Sequence, residues 1–397
     1  MVSDFHKRNR TALVEKSGGI VYVFTAYDQM QHTHDQAAPF IQEANFWWLT
    51  GIEEAGWKVV IDGNRRHSTL VRPYKSETHE LFDGALTAED AIKISGADEV
   101  IEEKEFESCL RNLAKKHTLV YTAYDKTVYD FISNPAQRDL HVLLERIFTS
   151  VQLCNDTLYK LRAIKQSEEI KAIENAVKLT AHAFTSVKEK LSDMKYEYEI
   201  EAEFDYIFKH SGQSHAYAPI VASGKNACTL HYSDNNQKLK KGSFVLMDIG
   251  ARVSGYAADI TRTYAYGEPT KRQIAVHEQV KNAHEAIIDM LAPDLGIEEY
   301  QRNVMEIMGA AVAELGLVKS PQDEKVMRYF PHAVSHGLGI DVHDALGRPR
   351  YFQPGMVLTV EPGIYIPEEA IGIRIEDDLL VTEKGHRNLS RSLSTGW

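Results

Sequence analysis

Residues 244–263 read FVLMDIGARVSGYAADITRT, two short apolar runs that each carry an aspartate and are joined through Ser254-Gly255. Alternate residues of a strand share a face. Phe244, Leu246, Asp248 and Gly250 therefore line one side of the first run, and Ala257, Asp259, Thr261 and Thr263 one side of the second. The pattern predicts a hairpin with both carboxylates on neighbouring strands in a largely apolar setting. Such a pair is costly, because like charges a few ångströms apart cannot both stay ionised without a proton or a cation between them.

The same arrangement recurs near the C-terminus. Asp248 lies six residues after Gly242 and two before Gly250, and Glu361 lies six after Gly355 and two before Gly363. Asp259 sits four residues after Gly255, and Glu376 four after Gly372. The matched offsets predict one hairpin used twice, a pseudo-twofold arrangement that brings four acids to one centre.

Histidines flank this pattern. Pro331-His332-Ala333-Val334-Ser335-His336-Gly337-Leu338-Gly339 spaces two of them four apart, like the helical zinc motif, but alanine stands where that motif needs glutamate and glycines follow at once. In a strand or loop His332 and His336 share a side, one as ligand and the other facing a substrate; His343 adds a third. His231, beside Tyr232 between two turn-forming clusters, would alone be read as surface or structural; its companions make it a site candidate. In Gly372 to Asp378, alternation puts Arg374, Glu376 and Asp378 on one face, so Arg374 is expected close to the site. Asp377 and Asp378 are expected as the solvated end of a strand.

Asp248, Asp259, Glu361 and Glu376 with one imidazole, His336, exceed what one ion needs, and bridging carboxylates hold two ions ~3.5 to 4 Å apart. Oxygen-rich ligands with a single histidine favour manganese, magnesium or cobalt, and the affinity series lets zinc or iron compete. The expected cofactor is two divalent ions, Mn2+ first, with Co2+ or Zn2+ as alternatives. Two such cations make hydroxide from water near neutral pH and polarise a carbonyl, which is hydrolysis of an amide or ester.

The rest of the chain fits a soluble enzyme. Its 397 residues allow two or three domains, and 43% apolar with 26% charged residues is an ordinary globular composition. A net charge of -12 without a basic stripe argues against nucleic acid. MVSDFHKRNR lacks the apolar run of a signal peptide, and no stretch reaches the ~18 apolar residues of a membrane helix. Cys109, Cys154 and Cys228 are scattered, which fits a reducing compartment, so a cytoplasmic protein is expected.

Residues 1–155 mix strand patterns (20–26, 58–62, 68–73, 118–124) with helical ones (87–94, 103–116), an α/β domain. Its aromatic concentration, NFWWLTG at 45–51, reads as core filling before a glycine turn, or as a lip over another subunit's cleft. From Ser167 the stripe Ile170, Ile173, Val177, Thr180, Phe184, Val187, Leu191 predicts an amphipathic helix, so a second domain, 156–397, starts near 156. Helices over about 198–210, 271–291 and 298–315 would cover its sheet. The fold class is α/β (α+β).

The order Asp, Asp, His, Glu, Glu, set in MDIGA, ADITRT, SHGLG, PGMVLTVEPGIY and RIEDD, resembles the pita-bread metallopeptidases, specifically their aminopeptidase P and prolidase branch, over about 156–390. NFWWLTG makes the N-terminal part similar to that branch's creatinase-like domain. The resemblance implies a pseudo-twofold antiparallel sheet covered by helices. It implies that Asp248 chelates one ion, that Asp259 and Glu376 bridge both, that His336 binds the other, and that Glu361 binds metal and relays a proton. It further implies that His231, His332 and His343 contact the substrate or tetrahedral intermediate and that Arg374 braces the acids. The activity implied is release of the N-terminal residue from peptides with proline second; a prolidase, which cuts only dipeptides, is the alternative, and a non-catalytic peptide-binding module a remote one. A homo-oligomer, dimer or tetramer, follows from the resemblance alone.

Overall fold

The computed structural model describes residues 1–124 and 132–397. The chain divides into two compact units, Met1–Leu161 and Arg162–Trp397, with the division inside the helix Asn155–Ala163 rather than at its start.

The first unit is built on a six-stranded sheet in the order Glu99–Glu102, His67–Arg72, Lys58–Asp62, Val21–Thr25, Leu119–Thr122, Ser150–Leu153. The four apolar strands expected from the sequence form its middle. Its two edge strands escaped the pattern because they are short and polar, with mostly exposed side chains. NFWWLT lies in the helix Ala44–Thr50, whose N-terminus is capped by the Glu43 carboxylate accepting from the Phe46 amide and which ends at the left-handed Gly51, the core filling before a glycine turn that the sequence suggested. Phe46, Trp47, Trp48 and Leu49 are all at most 5% exposed. They fill the core of this unit, and the reading of them as a lip over a neighbour is set aside, since none offers a surface.

In the second unit the duplication is visible strand by strand. The first copy runs Ser243–Ile249, Ala251–Val253, Tyr256–Ala257, Ile260–Tyr266; the second runs Val357–Val360, Gly363–Ile366, Ile371–Arg374, Asp377–Thr382. In each copy the outer strands pair antiparallel with each other, and the inner two make a separate small hairpin. The expected single hairpin is thus a hairpin with its tip folded into another sheet. Asp259 and Glu376 both fall in the gap where the chain returns from tip to outer strand, one residue before that strand begins. Gly250, at the first fold, lies so close to the returning chain that a Cβ there would sit 1.8 Å from the Ala258 carbonyl oxygen.

Helices complete the layer. Ser167–Lys190 starts at a capping box between Gln166 and Glu169, and its stripe member Thr180 turns its hydroxyl to accept the Ala251 amide at 3.0 Å. Lys271–Met290 and Ile297–Glu314 bury Val276, Val280, Ile287, Val304, Met308 and Val312 in one apolar cluster with Leu358, Val360, Ile364 and Ile373. That core holds the second copy's strands rigidly beneath the acids.

Candidate metal centre and active site

The backbone does most of the positioning. Asp248 is next to last in its strand and pairs with Thr261; Glu361 follows the strand Val357–Val360 and is fixed by its amide donating to the Val334 carbonyl at 2.8 Å. The Glu376 amide donates to the Thr261 carbonyl at 3.0 Å, and the Thr261 hydroxyl donates to the Glu376 carboxylate at 2.6 Å, so the two copies are stitched together beside the acids. His336 is held by its amide to the Thr359 hydroxyl and by Nδ1–H donating to the Gly337 carbonyl at 3.0 Å. That second bond leaves Nε2 directed at Asp259 and Glu361, each 3.4 Å away.

All nine residues singled out in the sequence, His231, Asp248, Asp259, His332, His336, His343, Glu361, Arg374 and Glu376, line one cavity of about 200 Å³. Asp259, His336 and Glu376 each bring a ligand atom within 4.8 Å of the others. Asp248 and Glu361 stand around this trio: the Asp248 carboxylate accepts from Arg374 Nη2 at 2.6 Å, and Glu361 flanks His336.

The electrostatics follow from burial and crowding. Desolvation, then the charge of Asp248, raises the Asp259 carboxyl above its ordinary value; desolvation and Asp259 raise Glu376 well above its own. Desolvation lifts Glu361 to about 7 against the pull of His336 and Arg374. Burial disfavours a charged His336, but the hydrogen bond and charge of Asp259 outweigh it and carry the ring up to about 9. Crowded acids that hold on to protons, beside an imidazole with its free nitrogen turned toward them, are a donor set that fits divalent cations, which would displace those protons.

His332 is engaged at both nitrogens: Nδ1–H donates to the Ala333 carbonyl at 2.8 Å, and Nε2 accepts from the Tyr365 hydroxyl at 2.9 Å. Burial, then Arg374, lowers it to about 4, so it is neutral. Arg374 donates to Thr261, Tyr365 and Asp248 and is fully committed as a brace. His343 stacks on His336 with ring centroids 3.8 Å apart, and burial followed by the neighbouring His336 lowers it to about 4. Among the described residues neither His343 nor His231 makes a ring hydrogen bond, which leaves both free to meet a ligand.

Two expectations fail. Asp377 and Asp378 are not a solvated strand end but 2% and 0% exposed. Asp377 is ion-paired with Arg262 at 2.6 Å, and Asp378 accepts from the Asp259 amide at 3.1 Å, so both brace the centre from behind.

Other residues escaped notice altogether. The Tyr217 hydroxyl lies 2.5 Å from Asp248 and 2.6 Å from Asp259, brought there because the adjoining strand Ile220–Ser223 pairs with Ser243–Ile249. Glu197, fully buried, accepts from Ser223, Asn226, Tyr232 and Gln237 and so secures the loop that carries His231. Nothing local in the sequence marks either residue, since both act across pairings distant in the chain.

Comparison with known proteins agrees with this geometry. Residues 171–383 match the model of metallopeptidase family M24, and residues 6–121 that of the aminopeptidase P N-terminal domain. The chain is 34% identical to the Xaa-Pro aminopeptidase of Escherichia coli over 98% of its own length and 94% of the relative's, and 32% identical to mouse Xaa-Pro aminopeptidase 3 over 88% and 74%. Solved structures of E. coli aminopeptidase P, one of them with the inhibitor Pro-Leu, superpose with a TM-score of 0.89 at 30% identity, covering 99% of this chain and 96% of theirs. A Yersinia pestis proline aminopeptidase P II superposes with a TM-score of 0.87 at 29% identity, covering 99% and 97%. With the M24 model matched over residues 171–383, the aminopeptidase P N-terminal model over 6–121, and Xaa-Pro aminopeptidases similar along nearly its whole length, the chain belongs to metallopeptidase family M24, in the aminopeptidase P branch.

Proposed function

We propose that this chain is an Xaa-Pro aminopeptidase, releasing the N-terminal residue from peptides whose second residue is proline. The observation that carries the reading is the single cavity lined by Asp248, Asp259, His336, Glu361 and Glu376 as ligands and by His231 and His343 as free rings, in a chain that relatives of that activity match along nearly its whole length. Two divalent ions held there, manganese first with cobalt or zinc as alternatives, would supply a hydroxide near neutral pH and polarise the scissile carbonyl.

The protein's own groups do the rest. Asp259 and Glu376, at the matched positions of the two copies, would hold the ions together with Asp248 and His336, of which Asp248 is held in place by Arg374 and His336 by Gly337. Glu361, at the edge of the centre, takes the proton of the attacking water and returns it to the leaving proline nitrogen. That nitrogen carries no hydrogen in the substrate and its ring fixes the local backbone, so departure depends on a proton delivered at one place. His231 and His343 face the peptide and donate to the oxygen that gathers charge. His332, expected from the resemblance to meet the substrate, is engaged at both nitrogens and is proposed instead to act one step back: it accepts from Tyr365, whose oxygen accepts from Arg374, and so keeps that wall in register.

The chemistry lies within residues 156–397, with 1–155 as the creatinase-like domain. The enzyme works in the cytoplasm as a homo-oligomer, dimer or tetramer; among the described residues no helix is long and apolar enough to cross a membrane. The test is hydrolysis of Ala-Pro-Ala against Ala-Pro by chelator-stripped protein with manganese, cobalt or zinc added back. Cleavage of the tripeptide on adding metal is expected. Cleavage of the dipeptide alone makes it a prolidase, and no cleavage with any metal makes it a binding module.

A further inference from the structure

His343 is a free ring on a short loop, and something other than its own hydrogen bonds must place it. We propose that Arg162 is its positioning residue, clamping both ends of the segment Asp341 to Asp344 and thereby fixing where His343 meets the peptide. The inference rests on the reading of His343 as a substrate-facing group.

Arg162 Nη2 lies 3.0 Å from Asp341 Oδ2 and 2.6 Å from Asp344 Oδ1, so one nitrogen grips the residue two before His343 and the residue just after it. The Arg162 and Asp344 side chains are 3% and 1% exposed. Lys165, also buried, donates to the Arg162 carbonyl at 2.6 Å and stands 3.4 Å from Asp344 Oδ2. A carboxylate between two buried cations is held far more firmly than a surface pair.

The loop closes on this anchor. The Asp344 amide donates to the Gly337 carbonyl at 2.8 Å, and the Gly339 amide to the Asp341 carbonyl at 3.1 Å. A Cβ at Gly339 would lie 1.8 Å from Asp344 Oδ2, so the anchored carboxylate occupies the space a side chain would need. Since, among the described residues, the His343 ring makes no hydrogen bond and stacks on His336, its location is that of its backbone, and its backbone is located by the clamp. A misplacement of about 1 Å at a reacting centre can cost about 10²-fold in rate.

The experiment is a double-mutant cycle on the metal-loaded enzyme with Ala-Pro-Ala as substrate. Asp341, whose side chain is 53% exposed, gives a variant that folds. Asp341→Asn is expected to lower kcat about tenfold with KM changed less than about threefold and the melting temperature unaltered, and to add nothing in a His343→Ala background. Arg162→Lys, which keeps the charge but draws it back on a shorter stem from both carboxylates, is expected to lower kcat further and to lose that effect in the same background. A wild-type kcat for Asp341→Asn, or losses that simply multiply with His343→Ala, overturns the clamp while leaving the aminopeptidase reading intact. Should His343→Ala alone turn over at the wild-type rate, the reading of His343 falls and the clamp with it, an outcome recognised from the single variant.

Discussion

Replacing Arg262 with methionine tests how the centre is supported from behind. Arg262 is fully buried and donates to five acceptors: the carbonyls of Thr261 (2.9 Å), Glu376 (2.7 Å), Leu393 (2.9 Å) and Ser394 (3.0 Å), and the Asp377 carboxylate (2.6 Å). Methionine has similar length and no charge. Asp377 would keep the Asn388 amide at 2.6 Å, with His284 Nε2 at 3.6 Å, and would be a buried carboxylate without its cation.

Breaking a buried pair from one side costs about 3–5 kcal/mol. Each neutral hydrogen bond adds about 1 kcal/mol, although relaxation and water recover part of the carbonyl share. For a unit of this size each kcal/mol moves the melting temperature by roughly 2–4 °C, so a fall of about 10 °C or more is expected by scanning calorimetry. Arg262→Met/Asp377→Asn removes the stranded charge but not the orphaned carbonyls, and should recover roughly half of the loss. A single variant melting within about 3 °C of wild type would refute the reasoning, and a double variant no more stable than the single would show that the stranded carboxylate is not the main cost.

Further outcomes follow from the same geometry. Tyr217→Phe, which removes the hydroxyl between Asp248 and Asp259, should weaken metal retention about tenfold, read as metal content after dialysis against a chelator; unchanged retention would dismiss the role. The metal-stripped protein should lose stability as pH rises from 6 to 9. Glu361 folded near 7 against an ordinary 4.5, and His336 near 9 against 6.5, each bind protons more tightly when folded, so their contributions are full below the ordinary values and vanish through the raised ones. Calorimetry showing a flat or rising melting temperature over that range would contradict this, and manganese should flatten the slope. Gly250→Ala would force a Cβ to within 1.8 Å of the Ala258 carbonyl and should yield protein that does not retain metal or activity; a fully active variant would show that the hairpin tip yields easily.

What the sequence disclosed was whatever repeats locally. The glycine offsets around Asp248, Asp259, Glu361 and Glu376 are properties of one strand pair at a time, and they carried the duplication and four acids correctly to one cavity. Helical stripes such as Ile173 to Val187 likewise carry their burial in their own spacing. Alternation failed at Asp377 and Asp378 because it ranks faces without saying what covers them, and here Arg262 and the Asp259 amide do. The aromatic run at 46–49 has no polar residue to give a period, so the helix that buries it was not legible. Tyr217, Glu197 and Arg162 contribute through partners up to 182 residues away, a distance no spacing rule encodes.

The stitching of the two hairpin copies also bears on when the centre can exist during synthesis. Thr261 and Glu376, which join the copies, are 115 residues apart, with two long helices emerging between them. A nascent chain that has left the ribosome only as far as Val360 carries Asp248 and Asp259 but neither Glu361 nor Glu376. Contacts so remote in sequence close late. The growing polypeptide therefore presents only two of these four acids until the second hairpin copy has been made, and the four meet only once Glu376 has emerged and paired with Thr261.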